Sequence, residues 1–209
     1  MAAAVRSRTP PQGLQTLRVD LDIAGLTIRG TVPNVGLEGV VFGHAGTTRA
    51  KHRPETWIYH LLVTWTRQRK QVSWIFGASS PKAARKKTKH AERLGHVIDP
   101  LAQLEALVKL YKHGMREPLA FMPTPSETFF LHRETLDKAW TKTRSSWNPS
   151  RYSATVAGSD PSIKLVFGHE FPFDDPSSPH QPRGSDLAFD ALALRVFDPL
   201  YGVHQEVEL

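Results

Sequence analysis

The sequence predicts an α/β domain, and three observations predict it. Alternating apolar and polar residues cluster between positions 17 and 42, apolar residues at three- and four-residue spacing follow over 55–67, and a second well-bounded helical pattern runs from Asp99 to Gly114. Strands first, helices around them and no internal repeat make one core, an α/β domain. Residues 1–13 read as a disordered leader or linker remnant, 14–202 as the domain, and 203–209 as a tail.

Each element has its own justification. Leu17–Ile23 and Leu26–Val32 alternate around an Ala24-Gly25 turn, and Leu37–Phe42 follows the break at Pro33, Asn34 and Gly36, which together predict a β-meander. His44–Arg53 is polar and reads as a loop. Over Glu55–Arg67, Trp57, Leu61, Thr64 and Trp65 share one face, with Ile58 and Leu62 beside them, so this helix is expected against a sheet. Gln71–Gly77 is a strand on which Trp74 and Phe76 are expected in the core, although their rings also have stacking faces. Asp99 caps a helix that has Pro100 at its first position and Gly114 at its exit, with Leu101, Leu104, Leu107, Val108 and Tyr111 on its apolar face. Leu119–Met122 reads as a short extended tag, Pro125–Trp147 as one long helix with Ser126 as cap, Ile163–Phe167 as a short apolar segment, and Ser185–Leu200 as a final helix.

The chain has 209 residues, a hydrophobic share of 40% and a mean hydropathy of −0.35, ordinary values for a domain with a full core. No apolar run reaches the length of a membrane span, and the N-terminus lacks the apolar segment of a signal peptide, so no membrane partner and a cytoplasmic location are expected. With no cysteine, disulfides and thiolate metal sites are excluded. The formal charge of +7 is unevenly placed. Arg67, Arg69, Lys70, Lys82, Arg85, Lys86, Lys87, Lys89 and Arg93 face Glu92 alone, whereas the stretch from Glu170 onward is acidic. A basic front favours a polyanionic partner; its plainer alternative is a solvated loop that keeps the chain soluble.

Motif tests narrow the chemistry. FGHAGTTRAK at 42–51 lacks the lysine that a phosphate loop requires, and no G-x-S-x-G exists. Of the histidines, His44 and His52 are the best metal-ligating pair, and ordinary surface roles fit them better. A metal-dependent nuclease of the restriction-endonuclease type needs an acid at the end of one strand and an acid-x-lysine on the next, because carboxylates hold Mg²⁺ over the scissile phosphate. Those slots fall near Pro33, and near Phe42 and His44; none is a carboxylate. Glu38 lies about four residues early, roughly 13 Å along a strand.

Four pieces, RVDLDIAGLTIRGTVPNV, ETWIYHLLVTW, LVKLYKHGMREPLAFMP and FDALALRVFDPL, resemble in sequence and order the C-terminal domain of the exodeoxyribonuclease V gamma subunit (RecC) family over about residues 14–202. The resemblance implies an α/β, restriction-endonuclease-like, PD-(D/E)xK-type core with a mixed central sheet flanked by helices and a degenerate active site at Pro33, Phe42 and His44. It also implies a non-catalytic role in a RecBCD-type helicase–nuclease that processes double-strand ends for recombinational repair, with duplex and forked DNA and the beta and alpha subunits as partners. No cofactor is then expected in this chain, Mg and ATP being used by the partner subunits. The helicase-like regions that precede the domain in the family are missing here, which implies a fragment or a split gene product, and Ser159 stands where many relatives carry a glutamate.

Expected phosphate contacts are Lys82, Arg85, Lys86, Lys87 and Lys89, with Arg67, Arg69 and Lys70 secondary. Two rivals remain at this point. One is a free-standing Mg-dependent nuclease with displaced ligands, using Glu38 with Asp20 or Asp22. The other is a protein-interaction module docked through the acidic C-terminal helix.

Overall fold

The computed structural model describes residues 13–78, 90–148, 157–168, 170–173 and 187–208. The chain divides into two compact units, one formed by residues 1–112 with 199–209 and the other by residues 113–198.

In the first unit, β1 (Gln15–Ile23) and β2 (Leu26–Val35) form an antiparallel hairpin. Its turn places Ala24 at φ 48° and Gly25 at φ 72°, the left-handed pair that a two-residue hairpin requires. The expected third strand of a meander begins later than the sequence pattern implies. A turn closed by Gly36 N–H donating to the Gly39 carbonyl at 2.8 Å occupies its first half, and β3 runs Val41–Thr47. A single bridge, Val35 to Val40, ties β2 to this segment; its main pairing is with β4 (Ser73–Ala78) in parallel. The turn itself already docks there, because Val72 N–H donates to the Glu38 carbonyl at 2.7 Å and Trp74 N–H to the Val40 carbonyl at 2.8 Å. That approach is close enough that a Cβ on Gly39 would lie 2.5 Å from the Val72 carbonyl oxygen.

Parallel β3 and β4 need a crossover, and α1 (His52–Arg67) supplies it. The helix starts before the expected Glu55 because Pro54 lies in its first turn, where a missing N–H is harmless. It buries Trp57, Leu61, Leu62 and Thr64 as its spacing predicts, and Val63 as well, while Trp65 stays partly exposed and Ile58 is 40% exposed. Beyond β4, β5 (His90–Leu94) and β6 (His204–Glu208) extend the sheet antiparallel, giving the order β3-β4-β5-β6. The mixed sheet is therefore as expected in kind. Two of its strands come from stretches read as a basic loop and a tail, because charged residues at Glu92, Arg93, Glu206 and Glu208 hide the alternation. Val41, Trp74, Phe76 and Ala91 form a buried cluster on the sheet, with Leu14, Val72 and Val207 packed against it. Trp74 and Phe76 are thus core residues, stacked at 6.2 Å between ring centroids.

The helix α2 (Pro100–Gly114) begins as its sequence dictates, with Asp99 Oδ1 accepting from Ala102 N–H at 2.9 Å. Its buried residues are Leu104, Val108 and Leu110, and Tyr111 is 56% exposed, so the apolar face is rotated from the expected one.

In the second unit, the long helix expected over 125–147 is two, α3 (Pro123–His132) and α4 (Leu136–Trp147). Arg133 ends the first: its guanidinium donates to the Phe130 carbonyl at 2.9 Å and lies 3.9 Å over the Phe130 ring. That side chain takes a carbonyl which a continuing helix would have used. Ser126 lies within α3 instead of capping it, and its hydroxyl accepts from Met122 N–H at 3.2 Å. Leu119–Met122 forms no strand, although Ala120 and Met122 are buried. The apolar segment at 163–167 is a helix, α5 (Pro161–Phe167), capped by Asp160, which accepts from Ser162 N–H at 2.8 Å. The last helix, α6, runs Phe189–Tyr201. An aromatic core built on Phe129, Trp140, Trp147, Phe173 and Phe189 holds this unit, with Phe173 stacked on Phe189 at 5.1 Å.

Candidate nucleic-acid interface

The expected contact residues fall into two groups. Lys82, Arg85, Lys86, Lys87 and Lys89 lie outside the described residues. Arg67, Arg69 and Lys70 are brought together where α1 ends. Gln68 takes a left-handed conformation there, φ 50° and ψ 38°, which turns the chain out of the helix toward β4.

The three cations are not equivalent. Arg67 donates to the Gly36 carbonyl at 2.8 Å and more weakly to the Leu37 carbonyl and Gln71, so it clamps the 36–39 turn to the helix end. Burial, and then the neighbouring Arg69 charge, lower its pKa, and it remains a cation at any physiological pH. Arg69 donates to the Leu37 carbonyl at 3.0 Å while staying exposed. The Lys70 side chain is exposed and makes no hydrogen bond or ion pair with a described residue, while its carbonyl accepts from Gln71 Nε2 at 3.1 Å.

Arg69 and Lys70 line a cleft of about 400 Å³ with Thr64 and Trp65 of α1, Gln68 just past it and residues 96–100. His96 adds a third protonatable group and Ile98, 94% exposed, an apolar lip. The 96–98 part of the lining had no sequence signal, because His96-Val97-Ile98 reads as an ordinary connection into α2.

The positions expected to be degenerate slots are placed as follows. Pro33 is exposed on β2. Phe42 and His44 lie on β3 and both approach His52, at ring-centroid distances of 5.6 and 4.4 Å. Burial, followed by the His44, Lys51, Arg49 and Arg53 charges, lowers the His52 pKa, and its Nδ1 accepts from Arg49 N–H at 3.0 Å. The displaced carboxylates of the nuclease alternative are occupied elsewhere. Glu38 accepts from Trp74 Nε1–H at 3.3 Å, Asp20 pairs with Arg29 at 3.0 Å, and Asp22 accepts from the Thr27 hydroxyl.

Sequence reasoning missed a buried ionic network nearby. Glu92, the one acid among the basic residues, accepts from Arg53 Nε and Nη2 at 2.6 and 2.7 Å and lies 2.9 Å from His204 Nε2. Burial alone would raise its pKa; the His204 and Arg53 hydrogen bonds and charges outweigh that and lower it. Nearby, His60 Nδ1 is 2.9 Å from Ser73 Oγ, which also accepts from Val40 N–H at 3.0 Å. The Ser73 hydroxyl proton is then free to be donated to His60, which leaves the imidazole neutral. Burial is the main cause that lowers the His60 pKa to about 4, against an opposing contribution from the Gly95 backbone. These groups are structural: Glu92 is held inside the protein by Arg53 and His204, and His60 is buried with its Nδ1 on Ser73 and its Nε2 without a hydrogen-bond partner among the described residues.

Among the described residues no helix is long and apolar enough to cross a membrane, and no group of three or more His, Asp or Glu side chains is arranged to hold a metal ion. No curated protein matches the chain. The RecC C-terminal domain family matches residues 1–134, which takes in β1 through α3 and the whole cleft and leaves the FDALALRVFDPL resemblance beyond the matched part. A match over more than half of the chain, resting on the segments that build the hairpin, α1 and the cleft, places this protein in the RecC C-terminal domain family, that of the exodeoxyribonuclease V gamma subunit of DNA repair and recombination.

Proposed function

We propose that this chain is a non-catalytic DNA-contacting and subunit-docking domain of a RecBCD-type helicase–nuclease that processes double-strand ends. It has a restriction-endonuclease-like core whose metal slots are degenerate, and it works in the cytoplasm. The observation that carries this reading is the end of α1, where Arg69, Lys70 and His96 surround an open cleft in a domain of this family. A positive, solvent-facing concavity attracts a polyanion, and contacts to phosphate are independent of sequence and sensitive to salt. Strand order supports the nuclease-like core: a hairpin, then a parallel βαβ unit through α1, with Pro33, Phe42 and His44 where carboxylates would stand. ATP and Mg²⁺ chemistry belongs to the beta and alpha subunits in this reading.

Titrating duplex and forked DNA into the chain at increasing salt tests it. Binding is expected, with a log–log slope of about −0.9 per neutralised phosphate. Replacing Lys82, Arg85, Lys86, Lys87 and Lys89 together by alanine is expected to weaken binding at low salt; unchanged affinity would remove that stretch from the interface. Co-purification with the beta and alpha subunits tests docking. Cleavage of linear DNA in Mg²⁺ or Mn²⁺ that Glu38→Ala abolishes would overturn the non-catalytic assignment.

A further inference from the structure

Trp65 differs from the other four tryptophans. Trp57 packs on His60, Trp74 on Phe76, Trp140 on Phe129 and Trp147 on Phe173, whereas no ring among the described residues packs on Trp65. It is partly exposed and lines the cleft at the end of α1. Arg69 and Lys70, one and two residues past the left-handed Gln68, line the same cleft, as do His96 and Ile98. A partly exposed aromatic ring beside solvent-exposed cations is the combination that single-stranded nucleic acid uses, since bases stack on the ring and the backbone follows the charge. The cleft's volume of about 400 Å³ falls in the range of sites for small organic ligands. The carboxylate in its lining, Asp99, is turned to its own helix, with Oδ1 accepting from Ala102 N–H.

We propose that this cleft takes one nucleotide of an unpaired DNA strand, its base stacked on Trp65 and its phosphate held by Lys70 and Arg69. The proposal rests on the DNA-contacting reading above and narrows it to a strand that has left the duplex. A base within a duplex has both faces covered and cannot reach the indole. Stacking needs only a π face, so the site is indifferent to base identity.

Fluorescence anisotropy of the full chain with a labelled oligothymidylate of about 12 nucleotides, and with a blunt duplex of the same length, tests it. Trp65→Ala is expected to weaken single-strand binding roughly 5- to 100-fold while duplex affinity changes by less than about two-fold, and Trp65→Phe to recover most of the loss. Lys70→Ala is expected to weaken single-strand binding and lower the salt slope by about 0.7. If Trp65→Ala melts early, Trp65→Leu, which keeps bulk without a π face, carries the same expectation. Unchanged single-strand affinity, or an equal loss for duplex and single strand, overturns the proposal and leaves the DNA-contacting reading standing. Wild-type chain that binds neither DNA overturns both. Displacement of the oligonucleotide by an acidic, leucine-containing peptide at matched charge, with Trp65→Ala abolishing peptide binding alone, would make the cleft a protein site and overturn it as well.

Discussion

The two ends of α1 carry similar side chains in opposite circumstances. At its start, Arg53 and His52 are buried, and Arg53 is held by Glu92, itself in contact with His204. At its end, Arg69 and Lys70 are exposed and Trp65 is half-open to solvent. Removing a charge from water is costly unless partners surround it, so the first set is committed to the fold. A charge in water costs nothing to keep and is available to a ligand. The lesson is that residue type alone does not mark an interface; the state of its hydrogen-bonding groups does.

The strongest test of that contrast is Glu92→Ala, which leaves Arg53 buried without its carboxylate. Chemical denaturation is expected to show a loss of about 3–5 kcal/mol. A loss below about 1 kcal/mol would mean that the network is not the lock described here. Gly39→Ala comes next: its Cβ would press on the Val72 carbonyl and the Ser73 hydroxyl, at 2.5 and 2.9 Å, and overpacking of this kind costs about 1–3 kcal/mol. A wild-type melting temperature for that variant would show that the 36–39 turn can shift freely.

His60 sharpens the comparison through pH. Its folded pKa, about 4, lies below the ordinary imidazole value of 6.5, so the unfolded chain binds the extra proton first. Its contribution is complete above about pH 6.5 and is lost as pH falls toward 4. Glu92, whose pKa is also lowered, acts in the same direction, its contribution being lost as pH falls through its folded value. Stability measured against pH should therefore drop on acidification, and His60→Leu should flatten the part of the drop between pH 6.5 and 4. The smallest effect is expected at the open end. Lys70→Ala should change stability by no more than about 0.5 kcal/mol while weakening DNA binding. A large destabilisation there would erase the distinction between the two ends.

Much of this arrangement was legible in the sequence. The hairpin, α1, the Asp99-capped helix and the core placement of Trp74 and Phe76 follow from alternation, helical spacing and caps. Charge alone singled out Arg69 and Lys70, which line the cleft. The rest was hidden for identifiable reasons. Strands β5 and β6 are short and charged, and one of their charges is buried because Arg53 and His204 lie far away in the chain, which no local pattern encodes. The break between α3 and α4 depends on one guanidinium reaching back to a carbonyl. The 96–98 lining of the cleft is a three-dimensional neighbour of α1, and His96 and Ile98 carry no motif.

Strand β6 has a consequence for how the chain acquires its structure. Its His204 meets Glu92 across a separation of 112 positions, and residues 113–198 form a unit of their own within that interval. Closing so long a loop costs about 2 kcal/mol more in chain entropy than closing a ten-residue one. The Arg53–Glu92 pair must therefore wait for one of its partners until nearly the whole of this sequence has been synthesised. During translation the first unit passes through a stage with an unpaired β5 edge, the form most prone to sticking to another chain. The polar, charged composition of β5 and β6 that hid them from sequence inspection is what keeps that waiting edge soluble.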